Sequence, residues 1–185
     1  WAAAVPEGFT FSVKLPRLIS HERRLRDCEG ELQRFLDEIA ELGGRLGCLL
    51  LQLPPSLAFE QALADDFLGQ LRARYDGALS LEARHASWLD AEPLLRHWQL
   101  ARVAADPSPI PGGDQPAGWS GLRYYRLHGS PRIYHSAYSR DWLARLAGEL
   151  RQCRQAGTPC WCIFDNTASG AAVANALTLQ ALLSA

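Results

Sequence analysis

Methionine is absent from the 185 residues, lysine occurs once, and Lys+Arg 19 against Asp+Glu 20 leaves a formal net charge of −1. Each shortage excludes something. Without methionine, Trp1 is no translation start, and the chain is expected to be N-terminally incomplete. A balanced charge offers no global field to attract nucleic acid or an anionic membrane, so neither is expected as a partner without a local basic patch. No stretch approaches the ~18 consecutive apolar residues of a spanning helix, and no basic segment followed by an apolar one opens the chain. A cytoplasmic protein is expected.

The cysteines, Cys28, Cys48, Cys153, Cys160 and Cys162, are odd in number, and a domain of this size needs no covalent staples. Reduced thiols are expected. Cys160 and Cys162 lie two apart in an apolar run, without C-x-x-C spacing, and are expected to pack in the core. No G-x-G-x-x-G or P-loop follows any strand-like run, which removes the commonest nucleotide-binding functions. Neither a cofactor nor a metal is expected. What is present is a 48% hydrophobic composition, enough for a single domain over residues 1–185.

Strand-like runs alternate with helical periods. The runs are 9–15, 46–53, 78–84, 100–106, 122–128 and 158–165. After the first, Leu32, Phe35, Leu36, Ile39 and Leu42 form an i, i+3, i+4, i+7 stripe closed by Gly43 and Gly44. Leu63, Phe67, Leu68, Leu71 and Tyr75 mark a second helix, residues 93–98 a short third, Trp142 to Leu150 a fourth, and 169–183 the last. Residues 107–121, rich in Pro and Gly, read as a loop or a degenerate helix. Strands apolar through their middles suit parallel pairing with both faces covered. The alternation means α/β, doubly wound or closed into a barrel. Lys14, Gln52, Glu82, Arg84, Asp106, Arg126, His128, Asp165 and Asn166 fall at the C-terminal ends of the runs, the catalytic face of a TIM-type (β/α) barrel.

Several motifs then acquire a shared meaning. Phe11-Ser12-Val13-Lys14 with Ser20-His21, Gln52-Leu53-Pro54-Pro55-Ser56, Glu82-Ala83-Arg84-His85 with Trp88, and Ala105-Asp106 come first. Tyr125-Arg126-Leu127-His128-Gly129 with Tyr134 and Tyr138, and Phe164-Asp165-Asn166 with Ala174-Asn175-Ala176, follow in order. Together they resemble the YecE-like family, domain of unknown function 72. The resemblance implies a TIM barrel of which this chain carries six of eight βα units, the N-terminal two lying ahead of Phe9. It also singles out His85 and Asn175. The family usually has Thr where this chain has Ser20, Asn where it has Asp165, and an acidic residue where it has Thr167. Six strands alone would leave two edges exposed, so a homodimer is expected if the chain is truly truncated.

Period-two geometry puts Ser12 with Lys14, Ser80 with Glu82 and Arg84, and Arg126 with His128 on common strand faces. Lys14, Glu82, Arg84, Asp106, Arg126 and His128 are the candidate catalytic groups. His21, Gln52, His85, Trp88, Tyr134, Tyr138, Asp165, Asn166 and Asn175 are the candidate substrate contacts. The reading that follows is an enzyme using Glu82 or His128 as acid/base on a small anionic or phosphorylated metabolite held by arginines. The segment 166–170 entering the last helix suits a phosphate. Three alternatives stay open: a structural Glu82–Arg84–Arg126 network, a divalent-metal isomerase or endonuclease built on Glu82, Asp106, His128 and Asp165, and a non-catalytic binding barrel. Ser20 could instead cap a helix, and the aromatics could merely pack a lid. Lys14, the one lysine, is expected to serve as a point charge or, if partly buried, as a Schiff-base amine.

Overall fold

The computed structural model describes residues 1–184, which divide into two compact units, residues 1–100 and residues from 101 onward. The first unit holds three parallel strands, β1 (Phe11–Lys14), β2 (Leu46–Gln52) and β3 (Leu79–Glu82), paired in that order. Helix α1 (Glu29–Ala40) follows β1 and α2 (Gln61–Arg74) follows β2, and a short α3 (Glu92–His97) comes after β3. The stripe read from the sequence is the buried face of α1, with Leu32, Phe35 and Ile39 inside. On α2 the buried residues are Ala64, Phe67, Leu68 and Leu71. At ~2 kcal/mol per fully buried large apolar side chain, this burial is what holds the helices on the sheet.

The run 100–106 is not one strand. It divides at Val103 into β4 (Leu100–Arg102) and β5 (Ala104–Asp106). The Pro- and Gly-rich segment, expected to be loop, contributes the two-residue β6 (Ala117–Gly118), antiparallel to Ala101 and Arg102. In the second unit β5 pairs in parallel with β7 (Arg123–Leu127), which pairs with β8 (Cys160–Phe164). Helices α4 (Arg140–Gln155) and α5 (Ala171–Ser184) pack on this sheet. Its core is Ala104, Tyr125, Leu127, Tyr138, Leu143, Leu146, Ala147, Leu150 and Leu179. Ser139 caps α4, its hydroxyl accepting from Trp142 N at 3.2 Å.

Two expectations need correcting. All five thiols are free, but Cys160 is exposed rather than core, while Cys162 is half-buried against the second unit's core. The cause is the position of β8 at the end of its strand order, where side chains have fewer neighbours than on β7. Ser20 caps no helix. It lies inside a single π-turn, Leu18–Glu22, its hydroxyl donating to Pro16 O at 3.3 Å.

Candidate functional site

The strand registers explain which side chains meet. In the first unit Lys14 faces Leu50, and Gln52 faces Glu82, so Lys14, Gln52 and Glu82 share one face of the sheet at its C-terminal edge. Glu82 is 1% exposed, and a carboxylate so enclosed needs close partners. Gln52 Nε2 lies 3.0 Å from both of its oxygens, and Arg84 Nε donates to Oε1 at 2.8 Å. Glu82 and Arg84 are thus ion-paired, as the alternative of a structural network had them. Lys14 is exposed, so the partial burial that an amine nucleophile was expected to enjoy is not there.

His21 belongs to the same unit. Its Nδ1 is 2.8 Å from Ser20 Oγ, and Ser20 itself is buried. Desolvation holds the imidazole below its ordinary pKa, helped by the positive charges of Arg17, Lys14 and Arg84 and opposed by Glu22. The ring is therefore neutral at pH 7. His85 and Trp88 have local duties. His85 Nδ1 pairs with Ser87 at the start of a short 3-10 helix. Trp88, 1% exposed, donates its indole N–H to Leu57 O at 2.9 Å and packs edge-on to Phe59.

In the second unit the pairing Leu127↔Phe164 sets the next residues, His128 and Asp165, side by side. Arg126 lies two residues before His128, on the same face. Arg126 Nη2 donates to Asp165 Oδ2 at 2.5 Å. His128 Nδ1 straddles the carboxylate, 2.9 Å from Oδ2 and 2.7 Å from Oδ1. The directed bond runs to Oδ2, and Oδ1 has no hydrogen-bond partner among the described residues. His128 is 5% exposed, with Tyr134 edge-on at a centroid distance of 5.9 Å. A carboxylate on Nδ1 fixes one tautomer, with the proton on Nδ1 and the lone pair on Nε2.

The turn that follows is held by the other candidates. Gly129, at φ +90, has the phenol of Tyr138 on its N–H at 2.9 Å. A Cβ there would sit 2.6 Å from Ser136 O, so only glycine fits. The Tyr138 hydroxyl donates onward to Asp106 O at 2.9 Å, which also accepts from His128 N at 2.7 Å. Burial first, and then the Asp106 carboxylate, push this phenol far above its ordinary pKa. Asn175 brackets Tyr138, accepting from its N–H and donating to its carbonyl, both at 3.0 Å. Asn166 donates to Ser136 O and to Asn175 Oδ1. Tyr138, Asn166 and Asn175 thus position the turn rather than line an open surface. Asp106 Oδ2 and Asn166 Oδ1 are enclosed without a partner among the described residues. The sequence reading missed Arg17 and Ser136. No period marks either one.

Motifs and geometry agree with a match to known proteins. The model of the family described as Protein of unknown function DUF72 matches residues 1–185. The chain belongs to this family. Its curated relative UPF0759 protein YecE of Escherichia coli is 31% identical over 86 residues, covering 46% of this chain and 31% of YecE. The matched stretch therefore spans about a third of that relative. A DUF72 family crystal structure from Thermotoga maritima superposes with a TM-score of 0.85 at 25% identity, covering 99% of this chain and 76% of that one. One from Enterococcus faecalis gives 0.82 at 23%, covering 100% and 78%, and speaks for the fold alone. No helix among the described residues of this DUF72 protein is long and apolar enough to cross a membrane.

Proposed function

We propose that this DUF72 protein is a TIM-type barrel enzyme that moves a proton on a small anionic or phosphorylated metabolite, with His128 as acid/base. The observation that carries the reading is the Arg126–Asp165–His128 arrangement: a carboxylate holding Nδ1 of a buried imidazole at the end of parallel strands. Such a ring is oriented and kept in one tautomer, which is what general acid–base chemistry requires. Asp165 stabilises the imidazolium when Nε2 takes a proton, and Arg126 braces Asp165. The anionic character of the substrate is supported by the guanidinium of Arg126 at the same strand ends. Glu82, enclosed by Gln52 and Arg84, serves as the anchor of Arg84 in this reading.

The test is untargeted. The protein is incubated in D2O with a pool of anionic metabolites, and mass spectrometry follows species that gain deuterium or change abundance. Wild type should transform at least one, and His128→Asn should slow that change by ~10²–10⁴-fold. Identical profiles for wild type, His128→Asn and buffer would remove the enzymatic reading.

A further inference from the structure

The turn that joins α4 to β8 lies at the far end of the strand from Asp165, since β8 begins at Cys160 and Asp165 follows its last residue, Phe164. It is tightly closed. Ala156 N donates to Gln152 O at 3.0 Å, Gly157 N, at φ +70, to Arg154 O at 3.1 Å, and Thr158 N to Cys153 O at 2.9 Å. Thr158 in turn accepts on its own carbonyl from Cys160 Sγ at 3.5 Å. One threonine is thus bonded to the main chain of the first cysteine and to the thiol of the second. Across it the two side chains meet, the Cys160 and Cys153 thiols being hydrogen-bonded to each other.

Both sulfurs are open to small molecules. Cys160 is exposed and Cys153 half-buried. A cavity of about 430 Å³ between β8, α4 and α5 is walled by Cys160, Cys162, Leu150 and Leu179, and one of about 340 Å³ beside α4 is walled by Cys153, Arg123 and Glu149. Thr158 borders both. Cys28 and Cys48 are buried in the first unit, and Cys162 packs against the second unit's core. Among the described residues, contact and access coincide at Cys153 and Cys160.

We propose that Cys153 and Cys160 are a modification site, at which exchange with a small organic disulfide of the glutathione class joins them in a reversible intramolecular disulfide. The step balances as two exchanges. The thiolate of the exposed Cys160 attacks one sulfur of the oxidant, forming a mixed disulfide and releasing one thiol. Cys153 then attacks the Cys160 sulfur, the mixed bond breaks, and a second thiol leaves. The protein gives up two hydrogens with their electrons, and the oxidant gains them.

Cys160 is no activated nucleophile. Burial first, then the hydrogen bond and charge of Cys153, push its thiol up to about 12, with Arg123, its partner in the strand register, opposing. The first exchange is accordingly slow. The second is prompt for a geometric reason: the resolving thiol is already in contact, so closure outcompetes thiols in solution through its high effective concentration. Such a pair ignores brief contact with an oxidant and records sustained contact. The bond fastens the end of α4 to the start of β8 and consumes no group at the strand's other end.

The reduced full chain is equilibrated without oxygen in glutathione redox buffers, folded and in urea, then acid-quenched, alkylated and mapped by mass spectrometry. Expected in the folded chain is a Cys153–Cys160 cross-linked peptide lacking two hydrogens and removed by dithiothreitol. Its formation constant should exceed that in urea by about tenfold, because the fold holds the two thiols together. Cys153→Ser should stop at a glutathione adduct on Cys160, and Cys162→Ser should leave the bond unchanged. The wild-type comparison needs no variant, so a substitution that fails to fold leaves the test standing. A folded wild type carrying only the glutathione adduct, a bond from Cys160 to any other cysteine, or a formation constant no higher folded than in urea would each overturn the proposal.

Discussion

The two units each bring a carboxylate, an arginine and a further hydrogen-bonding partner to the C-terminal edge of a parallel sheet, yet the results differ in kind. In the first unit Glu82 is 1% exposed and its named partners, the Gln52 amide and the Arg84 guanidinium, do not change protonation near neutral pH. In the second, the Asp165 side chain is 23% exposed and its partners include an imidazole. One is a fixed charge pattern. The other holds a group able to exchange protons. The difference lies in the partner and not in the carboxylate, and it comes down to what stands opposite in the parallel register: glutamine across from Glu82, histidine beside Asp165.

Replacing each carboxylate by its amide breaks the comparison most directly. Glu82→Gln leaves the Arg84 guanidinium and the Gln52 amide facing a donor at a buried position, and is expected to cost about 3 kcal/mol of stability. Asp165→Asn, at a more open site, is expected to cost about 1 kcal/mol. Urea unfolding of the two variants measures both. Equal losses would erase the distinction between the anchor and the working carboxylate.

Gly129→Ala probes the second unit's backbone. The added Cβ meets Ser136 O at 2.6 Å with φ at +90, so a loss of ~2–3 kcal/mol is expected. Gly8→Ala, also at positive φ but with open space around it, should cost about 1 kcal/mol. Thermal melts of the pair separate crowding from backbone preference. A Gly129→Ala protein as stable as Gly8→Ala would mean that the turn carrying His128 is loosely held.

Much of this was legible in the residues. The six runs, the helix stripes and the Glu82–Arg84 pair follow from periods of 2 and 3.6, which survive whatever the tertiary context. The break at Val103 was not legible, because nothing in Leu100 to Asp106 marks a turn and the division depends on β6 pairing with its first half. The π-turn was equally hidden, since Leu18-Ile19-Ser20-His21-Glu22 reads as an ordinary helix start and the extra residue per turn is a matter of hydrogen-bond geometry. Trp88 stood in a strand-to-helix loop where an aromatic could have met a ligand. Only packing against Phe59 and the bond to Leu57 O assign it to the interior. The Asp165–His128 contact needed the register of β7 with β8, which no single segment contains.

The smallest expected effect sharpens the comparison from the side of protonation in the first unit. His21 has its folded pKa lowered below the ordinary 6.5, chiefly by desolvation and then by Arg17, Lys14 and Arg84. Unfolded, the ring has the ordinary value, so between the two values the unfolded chain binds more protons than the folded one. Stability then rises with pH across that interval and is complete above 6.5. It falls on acidification from about 6.5 down to the folded value, and is constant in this respect below it. The opposite sign would hold for an imidazole stabilised as a cation. Urea midpoints measured from pH 8 to pH 5 should therefore decline on the acid side, and His21→Gln should decline less over the same range. A wild-type curve that is flat there, or one that matches His21→Gln point for point, would mean that the cations around His21 do not act on it as a group.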